Sequence, residues 1–127
     1  MICAAALLLS GTSAVSQAKT LTADQALDIV RTLNTAEVDS KLMGGHFLTL
    51  AELPSHRRVK KAAWSIAQTD ETTGTLEDYR LVVNVAPDGK HYQLSMIPTA
   101  TCGVALFSNE SGVIYTGRGL GCSETPQ

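Results

Sequence analysis

No Lys, Arg, Asp or Glu occurs before Lys19: the ten basic and twelve acidic side chains of the 127-residue chain all lie at or beyond that position. Neither sign of charge is in large surplus. A net charge of −2 and a pI near 5.8 exclude the global basic field that holds nucleic acid or an anionic membrane. The apolar run Ile2 to Leu9 is eight residues long, far short of the ~20 that cross a hydrocarbon core, so a retained transmembrane anchor is disfavoured. No HExxH, GxSxG or CxxC motif is present, which removes the usual signs of a zinc protease, a nucleophile elbow or a dithiol redox centre. What is there, 44% hydrophobic and 17% charged residues, suits one small folded domain rather than a disordered chain.

The uncharged start reads as a secretory signal peptide over residues 1–18. A small, polar stretch, Ser10 to Ala18, follows the apolar run, and Ser16 and Ala18 occupy the −3 and −1 positions of a signal peptidase site, which places the preferred cut before Lys19. Thr12 and Ala14 allow an earlier cut. No Lys or Arg precedes the apolar run, so a start codon upstream of Met1 stays open as a second reading. Cleavage removes Cys3 and leaves Cys102 and Cys122, an even pair that implies a disulfide in an exported chain. Residues 19–127 are then a single domain, periplasmic or extracellular, with no stable membrane anchor.

Within that domain, Thr22-Ala23-Asp24-Gln25 is a capping-box pattern. Ala26, Ile29, Val30 and Leu33 follow it as one apolar stripe, and Gly44-Gly45 ends the pattern. The expected helix, Ala23 to Leu42, is roughly 30 Å long. His46 to Leu53 is an apolar connector closed by Pro54, Ser55 to Gln68 reads as a second helix, and Thr69 to Thr75 as a loop. From Tyr79 the period becomes two: Tyr79, Leu81, Val83 and Val85 form one strand, Pro87-Asp88-Gly89 a turn, and Tyr92, Leu94 and Met96 a second strand ended by Pro98. Val104 to Phe107 and Val113 to Thr116 make another hairpin around Asn109-Glu110-Ser111-Gly112. The expectation is an α+β fold with one long N-terminal helix across a four-stranded antiparallel sheet.

Two of these segments carry a family likeness. Arg31 to Val38 (Arg-Thr-Leu-Asn-Thr-Ala-Glu-Val) and Phe107 to Tyr115 (Phe-Ser-Asn-Glu-Ser-Gly-Val-Ile-Tyr), joined by the Gly44-Gly45-His46-Phe47 exit and the Leu50-Ala51-Glu52-Leu53 connector, resemble the globular part of bacterial type IV pilin-like proteins and pseudopilins. The likeness spans about Asp24 to Arg118. It implies a long helix on a four-stranded sheet and a disulfide near the C-terminus. Its implied partners are other pilin-like or secretion-machinery proteins of type IV pilus or type II secretion systems. Members of that family carry a Gly-Phe processing site, a glutamate and a long hydrophobic half-helix ahead of the domain. Those features are missing from the chain as given, so the expectation is a secreted pilin-like domain rather than a major filament subunit.

The residues offer little catalytic chemistry, and no catalytic, metal or cofactor-binding residue is assigned. Glu37 borders the apolar stripe, where a buried carboxylate with a raised pKa would be a candidate general acid, but Lys41 at i+4 is its expected ion-pair partner. His46, His56 and His91 lack ligand spacing. Asp24 and Asp28 complement the helix N-terminus. Gly117 to Gly121 gives the backbone latitude for Cys122 to return, and Asn109-Glu110-Ser111 is a formal glycosylation acceptor with no expected use. Arg57, Arg58, Lys60 and Lys61 form the one charge feature above background. They read either as a solvated helix face or as a docking row for an acidic partner, a phosphate-bearing envelope polymer or nucleic acid, with Asp70, Glu71, Glu77 and Asp78 as a nearby acidic counterpart. No aromatic interleaves the row, so nucleic acid is not expected. The leading function is a non-enzymatic structural or interaction domain. The alternative is a small exported ligand-binding or inhibitor-like protein on the same scaffold, and a hydrolase built on scattered His and carboxylates ranks third.

Overall fold

Thr22 starts the first helix. Its hydroxyl accepts the Gln25 amide hydrogen at 3.1 Å while Gln25 Oε1 accepts that of Thr22 at 2.9 Å, so the capping box is closed. The computed structural model describes residues 19–99 and 102–118; the expected signal peptide, residues 1–18, lies outside the described residues. Helix α1 runs over Ala23–Gly44 and stops where Gly45 takes φ 82 and donates its N–H to the Lys41 carbonyl. Only a glycine reaches that left-handed conformation without a Cβ penalty. The helix buries Ala26, Ile29, Val30 and Leu33, and with them Asn34, Ala36 and Glu37.

After α1 the chain folds back through Phe47, Leu50 and Leu53, all buried, into a 3₁₀ turn at Leu53–Ser55 and a single helical turn, α2, at Arg57–Lys60. Six antiparallel strands follow, each hydrogen-bonded to the next in chain order: β1 Ala67–Gln68, β2 Thr73–Leu76, β3 Tyr79–Val85, β4 Tyr92–Pro98, β5 Val104–Asn109 and β6 Ile114–Arg118. The β3–β4 register pairs Tyr79 with Pro98 and Val85 with Tyr92, around a turn in which Gly89 has φ 71. One sheet face carries Leu76, Tyr79, Leu81, Val83, Tyr92, Leu94, Met96 and Leu106 into a single core with the α1 stripe. Each such large side chain removed from water contributes about 1.5–3 kcal/mol. Among the described residues no helix is long and apolar enough to cross a membrane.

Two expectations are corrected. The sheet has six strands, so the expected long helix on a four-stranded sheet is not the architecture that forms. The second helix, expected over Ser55 to Gln68, is reduced to α2, and its end becomes β1. Arg57, Arg58, Lys60 and Lys61 place like charges three and four residues apart, which opposes a longer helix, and Trp64, Ser65 and Ile66 are weak helix formers. Thr69 to Thr75 is a hairpin instead of a loop: Asp70 Oδ1 accepts the Thr72 and Thr73 amides at 2.9 and 2.7 Å, and Gln68 pairs with Gly74. A Cβ on Gly74 would stand 3.0 Å from the Ala67 carbonyl oxygen, so glycine lets these strands close up. Of the expected Cys102–Cys122 bond, Cys122 lies outside the described residues; Cys102 sits just before β5 with φ 74.

Candidate functional site

Beneath α1 lies a sealed run of polar groups. The Tyr92 hydroxyl donates to Asn34 Oδ1 at 2.8 Å, Asn34 Nδ2 donates to Ser108 Oγ at 2.8 Å, and that hydroxyl donates to the Val113 carbonyl at 3.1 Å. All three side-chain partners are buried. The relay thus ties the middle of α1 to β4, β5 and the turn before β6. Phe47 packs edge-on against Tyr92 with ring centroids 4.7 Å apart. Burial raises the Tyr92 hydroxyl pKa, with the neighbouring Glu37 and Glu110 adding to the effect.

Glu37 is fully buried beside this relay. Its Oε1 accepts the Leu48 amide at 2.7 Å, while Oε2 is buried with no hydrogen-bond partner. Burial pushes the carboxyl up from 4.5 to about 8, opposed by the Leu48 hydrogen bond and assisted by the charge of Glu52. Burial thus favours the protonated form of Glu37. The expected pair with Lys41 does not form, because Lys41 Nζ donates to the Gly45 carbonyl at 2.8 Å and stays with the helix end.

At the end of α1 the polar groups are open to water. The last turn of the helix, the connector and α2 border an open groove of about 860 Å³, lined by the apolar Met43, Leu48 and Ala51 and by Asp39, Glu52, His56 and Arg57. Its carboxylates are already engaged. Asp39 Oδ2 accepts from Arg58 Nε at 2.7 Å and lies 4.0 Å from His56 Nε2, and the Arg58 hydrogen bond, with the charges around it, holds Asp39 below the usual carboxylate range. Glu52 accepts from the Thr49 amide and hydroxyl at 3.1 and 3.0 Å, which lowers its pKa. His56 also caps α2: its Nδ1 accepts the Arg58 amide at 3.1 Å.

The cationic row is therefore divided. Arg58 turns back to Asp39, Arg57 borders the groove, and Lys60 and Lys61 face solvent. Three of the four acidic residues expected as its counterpart are used elsewhere: Glu77 Oε2 accepts the Lys19 amide and Asp78 Oδ1 the Leu21 amide, while Asp70 holds the β1–β2 turn. His46 approaches Glu52 at 3.9 Å, and His91 bonds Glu110 at 2.8 Å. Among the described residues no group of three or more His, Cys, Asp or Glu is arranged to hold a metal ion. Asp28 pairs with Arg31 at 3.5 Å on the exposed side of α1. Asn34, Ser108 and Tyr92 were not legible as a unit in the sequence, where Tyr92 read only as a core strand residue. Two small polar residues on otherwise apolar faces were the available signal. Comparison with protein-family models, with curated proteins and with solved structures finds no match to this chain.

Proposed function

We propose that this protein is a secreted, non-enzymatic interaction domain of pilin-like kind, working with type IV pilus or type II secretion-like machinery. The observation that carries this reading is the Asn34–Ser108 hydrogen bond at 2.8 Å. It joins the two segments on which the family likeness rests, Arg31 to Val38 and Phe107 to Tyr115, at a point where both are buried. One residue of each segment, Asn34 and Ser108, thus meets the other in a single helix-to-hairpin contact. The additional strands β1 and β2 lie at the sheet edge opposite β6, so the departure from four strands leaves that contact intact. The groups with the largest pKa shifts, Glu37 and Tyr92, are sealed from water and hold backbone or helix in place, which favours a scaffold over a catalyst.

Chemical cross-linking of the native protein in its cell envelope, with mass spectrometry and N-terminal sequencing, tests the proposal. The expected result is a mature end at Lys19 in the exported soluble fraction and cross-links to pilin-like or secretion-machinery proteins. Recovery from the cytoplasm with Met1 in place, or cross-links confined to unrelated proteins, overturns it.

A further inference from the structure

Two features of the groove at the end of α1 are unexplained by the fold. Leu42 and Met43 are 79% and 89% exposed at adjacent positions, and Met43 lines the groove with Leu48 and Ala51. Scattered apolar residues on a surface are ordinary, but apolar residues lining a concave site are the usual mark of a binding surface. The second feature is electrostatic. Each groove carboxylate has an internal partner, Asp39 with Arg58 and Glu52 with Thr49 and His46, whereas Arg57 and the adjacent Lys60 and Lys61 make no ion pair among the described residues. Arg58 neutralises Asp39, whereas Glu52 is held by the neutral Thr49 donors and keeps its charge; Arg57, Lys60 and Lys61 outweigh it, so the surplus around the groove is positive in a chain whose net charge is −2.

We infer that this groove docks an acidic peptide segment of a partner protein, with an apolar side chain seated on Met43, Leu48 and Ala51 and carboxylates facing Arg57, Lys60 and Lys61. The inference rests on the reading of the chain as an interaction domain. A peptide fits better than the other polyanions. The cationic row has no interleaved aromatic to stack a base, and a chain of net charge −2 lacks the broad basic field that holds an anionic bilayer. The volume lies within the ~300–1,000 Å³ of sites that enclose a compact ligand or a few side chains. Arg58 is not counted among the docking groups, since its guanidinium is committed to Asp39.

The test is fluorescence anisotropy on the full chain with a labelled peptide of about eight residues alternating acidic residues and leucine, the span of a short linear recognition segment. Three controls accompany it: the same peptide with serine for leucine, the same peptide with glutamine for its acids, and a single-stranded oligonucleotide. Binding is expected for the acidic leucine peptide, weakened by salt. It is expected to fall about tenfold with serine for leucine, and about tenfold in the protein variant Arg57→Glu with Lys60→Glu. Met43→Ser is expected to weaken it severalfold, and circular dichroism checks that both variants keep the fold. Absence of binding, equal binding by the charge-reversed variant, equal binding of the glutamine peptide or preference for the oligonucleotide each overturns the inference. Cross-links to secretion-type partners that persist in the charge-reversed chain remove the groove and leave the interaction reading standing. Intact peptide binding without such cross-links removes the reading and leaves the groove.

Discussion

Glu37 and Asp39 stand two residues apart on α1 and are pushed in opposite directions. Glu37 points into the core, where burial raises its carboxyl to about 8, and Asp39 points toward the groove, where the Arg58 guanidinium lowers its pKa. A helix turns about 200° over two residues, so neighbouring acids reach opposite environments. The contrast extends to everything around them. On the core side, Asn34, Tyr92 and Ser108 satisfy one another in a sealed relay. On the groove side, carboxylates are partnered across exposed surface and three cations are left over. Polar groups of the first kind specify the fold, and those of the second kind leave chemistry available to a partner.

The sharpest way to break this comparison is pH. Glu37 titrates near 8 when folded and near 4.5 when unfolded, so between those values the folded state binds more protons and stability falls as pH rises. The contribution of the neutral form is fully present below about 4.5 and is lost through about 8, a change on the order of 5 kcal/mol. The lowered carboxylates, Asp39, Glu52, Asp70 and Glu110, contribute in the opposite sense, with stability lost as pH falls below the ordinary carboxylate range. Urea midpoints are therefore expected to decline from about pH 5 to about pH 9, and the decline is expected to flatten in Glu37→Gln. A parent profile that matches the Gln variant across that window would place Glu37 in contact with water and collapse the distinction.

The relay provides the next largest effect. Asn34→Ala leaves the Tyr92 hydroxyl buried without its acceptor and removes the Ser108 donor, which is expected to cost about 2–3 kcal/mol. Tyr92→Phe removes one donor and leaves Asn34 Oδ1 unpaired, for about 1 kcal/mol. Urea unfolding of the two variants checks the order. Costs for both near those of ordinary surface substitutions, within about 0.5 kcal/mol, would show that water satisfies these groups and that the relay does not clamp α1 to the hairpin.

How far the sequence revealed this arrangement differs between elements for physical reasons. Helix α1 was readable because Thr22, Gln25 and Gly45 act locally, and β3 to β6 because strict alternation and the Pro87-Asp88-Gly89 and Asn109 to Gly112 turns set their registers. Strands β1 and β2 were hidden. Gly74 occupies a buried strand position without an apolar side chain, and the two-residue turn from Leu76 to Tyr79 puts Glu77 at φ 54 where a glycine or asparagine is the usual sign. That turn is held from a distance, by Lys19 and Leu21 amides donating to Glu77 and Asp78. The site was half visible. Arg57, Arg58, Lys60 and Lys61 stood out as charge, but Asp39 and His56 acquire their roles only when the connector folds back. For Glu37, helical spacing suggested Lys41, whereas the actual donor is a backbone amide on the connector, 11 residues away.

The smallest expected effect probes the groove side. Arg58→Ala removes the 2.7 Å bond to Asp39 at a site open to solvent, where an ion pair is screened and its side-chain entropy offsets much of the attraction. The melting temperature is expected to move by less than about 2 °C, while NMR titration shows the Asp39 carboxyl returning toward its ordinary value of 3.8. The two readouts separate local electrostatics from folding. A pKa change without a stability change leaves the rim as surface chemistry carried on a finished scaffold. A large loss of stability would mean that Arg58 fastens α2 to α1 as firmly as Asn34 fastens α1 to the sheet. The groove would then belong to the fold in the same sense as the relay, and its cations would need a structural explanation before a partner.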